Sequence, residues 1–203
     1  MRTAYALARH EVRLLASLWL WVVRRGHGTG AGRGFGYARG QGATTAGFAF
    51  VCVIETFTMS VLLRDWPTAH RVVLALDVYT VVLVVALHAA SVVRPHVLTA
   101  DALRVRHGVR VDLRIPLERI TAVRRETRST HEGADARELN IAVGSQTSVT
   151  VELAGPVPHV TLLGRRREVS VVRLHADEAD RLVRALRQAR TAPSPLPDPP
   201  ARA

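Results

Sequence analysis

Lysine is missing from all 203 residues, cysteine occurs once, methionine twice, and aromatic residues make up only 5%. Each shortage excludes something. With Cys52 alone, no intrachain disulfide can form, and the residue reads as a small apolar filler. The nine histidines are scattered, without an i, i+4 pair beside an acid and without Cys/His ligand spacing, and no nucleophile elbow is present. The sequence therefore assigns no catalytic residue, no metal ligand and no cofactor, and the chain is read as a non-enzyme. No internal repeat is present. The net charge of +11 rests on arginine alone, a pattern that fits a GC-rich genome and says nothing of function.

What is present is apolar and unevenly spread. Residues 44–63 and 72–93 contain neither Lys nor Arg. About 20 residues at about 1.5 Å each cover a hydrocarbon core of about 30 Å, so each segment is a candidate transmembrane helix. Residues 64–71, "RDWPTAHR", form the turn between them. Seven arginines precede the first span and Arg94, Arg104, Arg106 and Arg110 follow the second, whereas the turn holds Arg64 and Arg71 beside Asp65. The positive-inside rule then places both termini in the cytoplasm and the turn outside. Residues 1–25 carry an apolar run from Leu14 to Val23 that is too short to span. Arginines rather than small residues follow it, which rejects a signal peptide. An amphipathic interfacial helix with Trp19 and Trp21 at headgroup level, or a helix packed on the rest of the protein, are the two readings left open. The glycine-rich, basic stretch 26–43 reads as a mobile linker.

After Arg94 the periodicity changes to two. Leu103, Val105, Val111, Leu113 and Ile115 alternate with Arg104, Arg106, Arg110, Asp112 and Arg114 about a turn at His107 and Gly108. This is the pattern of a half-buried antiparallel hairpin. Further strands are expected at 120–128, 138–143, 147–153 and 168–174. A helix follows over 177–190, capped by Asp177, with Ala179, Leu182, Val183 and Leu186 on one face and pairs Asp177–Arg181 and Asp180–Arg184 on its surface. The expected fold class is an α+β membrane protein: a two-helix transmembrane hairpin plus a cytoplasmic antiparallel barrel or sandwich over 97–190, capped by a C-terminal helix. Residues 191–203 form a disordered proline-rich tail.

Within this domain Leu98 and Thr99 precede a turn at Asp101, a hairpin turns at Gly108, and "IPLERITAV" places Pro116, Leu117, Ile120 and Val123 ahead of the next strand. These features resemble the bacterial pleckstrin-homology-like domains that follow paired transmembrane helices. The resemblance covers residues 97 to about 128 directly and 138–190 by element order. It implies a multi-pass protein of the bacterial cytoplasmic membrane that acts as a tether or interaction module, without catalytic residues.

Two sets of side chains are candidate sites. Arg104, Arg106, Arg110 and Arg114, with Arg165, Arg166 and Arg167, could meet anionic headgroups, or could form a solvated outer face. Inside the spans, Glu55 and Thr56 lie on one polar stripe, and Asp77, Thr80 and His88 on another. Glu55 lies nine residues before Arg64 and Asp77 six after Arg71, so their depths in a hairpin differ by about 4.5 Å and the two acids are expected to meet as a polar clasp. The alternative is an ion- or proton-linked transport component using both acids in an oligomer. Expected partners are membrane lipids, anionic ones among them, a membrane or cytoplasmic protein that the sequence does not specify, and further copies of the chain. Nucleic acid is the weaker expectation.

Overall fold

A computed structural model of the chain describes residues 2–129, 137–161 and 164–191. The expected proline-rich tail lies outside the described residues from 192 onward. Helix α1 spans Arg2–Val22, α2 spans Gly42–Leu62 and α3 spans Pro67–Val93. The last starts five residues before the apolar run, because Pro67 at the first helical position carries no N–H to satisfy and its fixed φ suits a helix start. Ser60 and His70 hydrogen-bond across the turn at 3.1 Å, which sets the register of the α2–α3 hairpin.

Both α2 and α3 are long and apolar enough to cross a membrane, and neither is covered by protein over most of its length. Phe57 is 73% exposed, and Phe48, Phe50, Val53, Ile54, Val72, Leu76 and Val78 also face outward. Helix α1 packs on α3: Leu14 is buried against Ala86 and Ala90, whose small side chains allow a close approach. Arg94 Nε donates to Ser17 Oγ at 3.2 Å, and the Tyr79 hydroxyl donates to Glu11. Of the two readings of the N-terminal segment, the structure displays the packed helix, with Trp19 exposed on its far side.

The remainder of the described chain forms two four-stranded sheets and one further helix. The first sheet runs β1 (Arg33–Phe35), β2 (His96–Leu98), β3 (Ala102–His107) and β4 (Val111–Pro116), all antiparallel. The second contains β5 (Ile120–Ser129), β6 (Glu138–Ile141), β7 (Gln146–Val160) and β8 (Arg166–Leu174), in the order β5-β7-β8-β6. Helix α4 (Ala179–Thr191) closes one end, burying Leu182, Val183, Ala185 and Leu186. A single core cluster joins both sheets and α4 through Leu103, Val105, Ile115, Val149, Val151, Val172 and Leu174. Alternation of apolar residues put these side chains on one face of each strand.

Of the barrel and the sandwich left open by the sequence, the structure has two sheets and no closed barrel. Two expectations are corrected. The strands are not wholly antiparallel, since β6 pairs with β8 in parallel, Glu138 opposite Val171 and Ile141 opposite Leu174. Strand β7 continues well past 153, because the register shift between Glu152 and Val157 absorbs Gly155 and Pro156, which had read as a strand end.

The glycine-rich stretch is the largest departure. Instead of running free, it supplies β1 to the first sheet, and Tyr37 beyond it is fully buried. The glycines serve close packing. A Cβ on Gly32 would lie 2.5 Å from Val97 Cγ1, and Gly28 at φ +61° leaves room for the Arg106 guanidinium, 2.9 Å from where its Cβ would stand. At the helix α4 end, Asp177 N–H donates to Gly36 O at 2.9 Å, and the Asp177 carboxylate accepts the Arg39 N–H at 3.3 Å. Asp177 is thus spent on this loop. The surface partners of α4 also differ from the expected i, i+4 pairs: Arg181 pairs with Glu178 and Asp180 with Arg125.

Candidate functional site

The segments that lead into α2 and out of α3 meet in one buried cluster. Tyr37, two residues past β1, places its ring against His96 at 4.8 Å and His107 at 5.6 Å between centroids. His96 is the first residue of β2 and His107 the last of β3, so the sheet carries both imidazoles to the same spot. The Tyr37 hydroxyl accepts the Gly108 N–H at 2.6 Å, and its burial raises the phenol above its ordinary pKa. His96 Nδ1 accepts the Arg106 N–H at 3.1 Å; a backbone amide can only donate, so the ring proton sits on Nε2, which donates to His175 O at 3.0 Å. Full burial holds the neutral form and lowers this histidine to about 4.

Arg106 was expected on the solvated face of the hairpin; its side chain is 3% exposed. The guanidinium donates to His27 O at 2.8 Å and Gly28 O at 3.0 Å, with the Asp112 carboxylate 3.9 Å away. It satisfies two loop carbonyls that would otherwise lack partners, and so fastens the glycine-rich stretch to β3. The sequence pattern missed this because period-two alternation says which face a residue occupies, not that a distant loop covers that face.

The arginine surface does not form as one basic face. Arg104 makes a bidentate pair with Asp112 at 2.6 Å on each arm, and Arg114 pairs with Asp101. The Asp112 carboxyl lies below its ordinary range through Arg104, although burial opposes the shift as its largest single contribution. Arg166 and Arg167 open β8 of the other sheet, Arg165 directly precedes it, and all three are exposed. Arg110, at the hairpin turn, has no acidic partner and is exposed.

The polar residues of α2 and α3 are likewise not joined. Ser60–His70 pairing puts Glu55 and Asp77 at similar depth, five and seven residues from that contact, yet Glu55 faces outward and no hydrogen bond links the two acids. Asp77 is half-buried, with Oδ2 enclosed and unpartnered. The Thr56 and Thr80 hydroxyls, expected to serve a carboxyl clasp, donate to the backbone carbonyls of Cys52 and Leu76 at 2.8 and 2.9 Å. His88 points to neither acid; its ring meets Trp21 edge-on at 6.2 Å.

Between the N-terminal end of α2, the C-terminal end of α3 and the β3–β4 turn lies a cavity of about 520 Å³. It is lined by apolar Phe48, Val84 and Leu87 and by polar Gln41, Thr45 and Arg110. None of this was legible in the sequence, since the cavity exists only because the loop before α2 is pinned to the sheet. Among the described residues no cluster of three His, Cys, Asp or Glu is placed to hold a metal ion. Comparisons with protein-family models, with curated proteins and with solved structures find no match to this chain.

Proposed function

We propose that this protein is a non-catalytic integral membrane tether, in which the α2–α3 hairpin anchors a cytoplasmic sandwich that serves as an interaction module for another protein. The observation that carries this reading is the uncovered apolar surface that runs along α2 and the first half of α3, where Phe48, Phe50, Ile54, Phe57, Val72, Leu76 and Val78 are exposed. Soluble proteins rarely leave apolar patches larger than a few hundred Å² bare. The sandwich is mounted rigidly on that hairpin: Tyr37 and Arg39 fix the entry to α2, and His96 fixes the exit from α3. Rigid mounting suits a module that must present one face at a set distance from the bilayer. The likeness to bacterial pleckstrin-homology-like domains supports the same reading and a bacterial cytoplasmic membrane as its location.

The test is alkaline extraction of membranes from cells making the full chain, followed by flotation. The protein is expected to stay with the floated lipid and to require detergent for release. Recovery in the aqueous fraction without detergent would remove the membrane anchor. A second reading, an ion- or proton-linked component working as an oligomer, draws on the enclosed and unpartnered Asp77 Oδ2. Proton flux in proteoliposomes that disappears on Asp77→Asn would favour it over the tether.

A further inference from the structure

We propose that the cavity at the junction of α2, α3 and the β3–β4 turn binds a single-chain anionic amphiphile, its head at Arg110 and its chain along Phe48, Val84 and Leu87. Three observations lead there. The volume of about 520 Å³ lies within the range of small-molecule sites, about 300–1,000 Å³. Its lining offers both chemistries, apolar Phe48, Val84 and Leu87 from α2 and α3 together with polar Gln41, Thr45, His88 and Arg110.

The third observation is the charge that Arg110 leaves unanswered. Its hairpin neighbours are all committed: Arg104 to Asp112, Arg106 to the carbonyls of His27 and Gly28, Arg114 to Asp101. The Arg110 backbone N–H closes the turn on His107 O at 3.0 Å, but its guanidinium makes no hydrogen bond and no ion pair among the described residues, and no carboxylate is present in the cavity lining to take one. A guanidinium beside low-dielectric walls attracts an anion more strongly than one in open water, and its planar fork matches a phosphate or carboxylate. A bare inorganic anion would leave the apolar walls uncovered. A ligand with a chain of its own satisfies both chemistries of the lining. The cavity opens where the apolar helices meet the sandwich, so the membrane supplies such molecules at the mouth. The source of the ligand rests on the membrane reading proposed above; the chemistry of the site does not.

The experiment measures equilibrium binding to the full chain in neutral detergent micelles, with lysophosphatidic acid and lysophosphatidylcholine as probes and inorganic phosphate as competitor. The phosphate monoester is expected to bind saturably, about tenfold or more tighter than the zwitterionic probe, with affinity that falls as salt rises. Arg110→Gln should remove the preference between heads while leaving the thermal midpoint unchanged, because the side chain is exposed and unpaired. Thr45→Trp, which fills the cavity from α2, should weaken both probes. Equal affinity for the two heads, or an unaltered preference in Arg110→Gln, would overturn the proposal. Inorganic phosphate displacing the amphiphile at equal concentration would also overturn it, in favour of a free-anion site. Should the chain bind the probe yet fail to float with alkaline-washed membranes, the anchor reading falls and the site stands.

Discussion

His96 shows how one side chain can couple two parts of a fold. It sits in the first position after Pro95, which follows α3, accepts from β3 and donates to the segment after β8. Both bonds require the neutral Nε2–H tautomer. Its pKa falls from an ordinary 6.5 to about 4 on folding, chiefly through burial, with the His175 carbonyl opposing the shift. The unfolded chain therefore binds a proton that the folded chain refuses between those two values. Stability is full above about pH 6.5, declines as pH falls toward 4, and loses nothing further from this group below that, with a slope of about 1.4 kcal/mol per pH unit inside the window. His107 and His27 are shifted the same way, each mainly by burial and then by neighbouring arginines. The thermal midpoint of the chain in neutral detergent is expected to drop between pH 7 and pH 5, and His96→Gln to flatten that drop while lowering the midpoint at pH 7. An unchanged pH slope in His96→Gln would mean that another group carries the acid sensitivity.

At the scale of elements, the stretch before α2 decides what counts as a domain. Periodicity made the β3–β4 hairpin, the strands of the second sheet and α4 readable, because each has one face that must be buried and one that must not. The same signal could not find β1, three residues long and flanked by glycines, nor the parallel partnership of β6 and β8, since neither pairing nor direction leaves a mark on alternation. Glycine density suggested mobility, and here it reflects close approach to Val97 and Arg106. Of the candidate site residues, the arginine set was legible as charge but not as pairing, which depends on cross-strand neighbours such as Arg104 and Asp112 separated by eight positions. A fragment of residues 97–190 was the natural domain to cut, yet it lacks β1, Tyr37, His96 and the carbonyls that receive Arg106. We expect it to be markedly less stable than a chain joining residues 26–41 to 94–191 through a short glycine-serine linker. That join is reasonable because the start of α2 lies beside the end of α3: a Cβ on Gly42 would stand 3.9 Å from His88 Cε1. Amide dispersion and urea midpoints of the two chains compare them directly, with a difference of about 2 kcal/mol or more expected from the uncovered core and unsatisfied guanidinium. Equal midpoints would show that the glycine-rich stretch is an ornament on an independent domain.

On the scale of the whole molecule, an apolar hairpin and a basic sandwich meet at one fixed joint. On the membrane reading proposed above, the arginine balance across the hairpin, heavy at both ends that join the sandwich and light at the Leu63–Trp66 turn, predicts the sandwich on the cytoplasmic side. The proposed tether, and the membrane as the source of the amphiphile at its joint, depend on that hairpin crossing a bilayer in that direction. Single-cysteine labelling tests it most directly. In a Cys52→Ala background, Trp66→Cys at the turn and Gln188→Cys on α4 are treated with a membrane-impermeant maleimide, first on intact cells and then after lysis. The turn position is expected to label in intact cells, and the α4 position only once the membrane is opened. Labelling of the α4 position from outside, or protection of the turn until lysis, would contradict the arrangement.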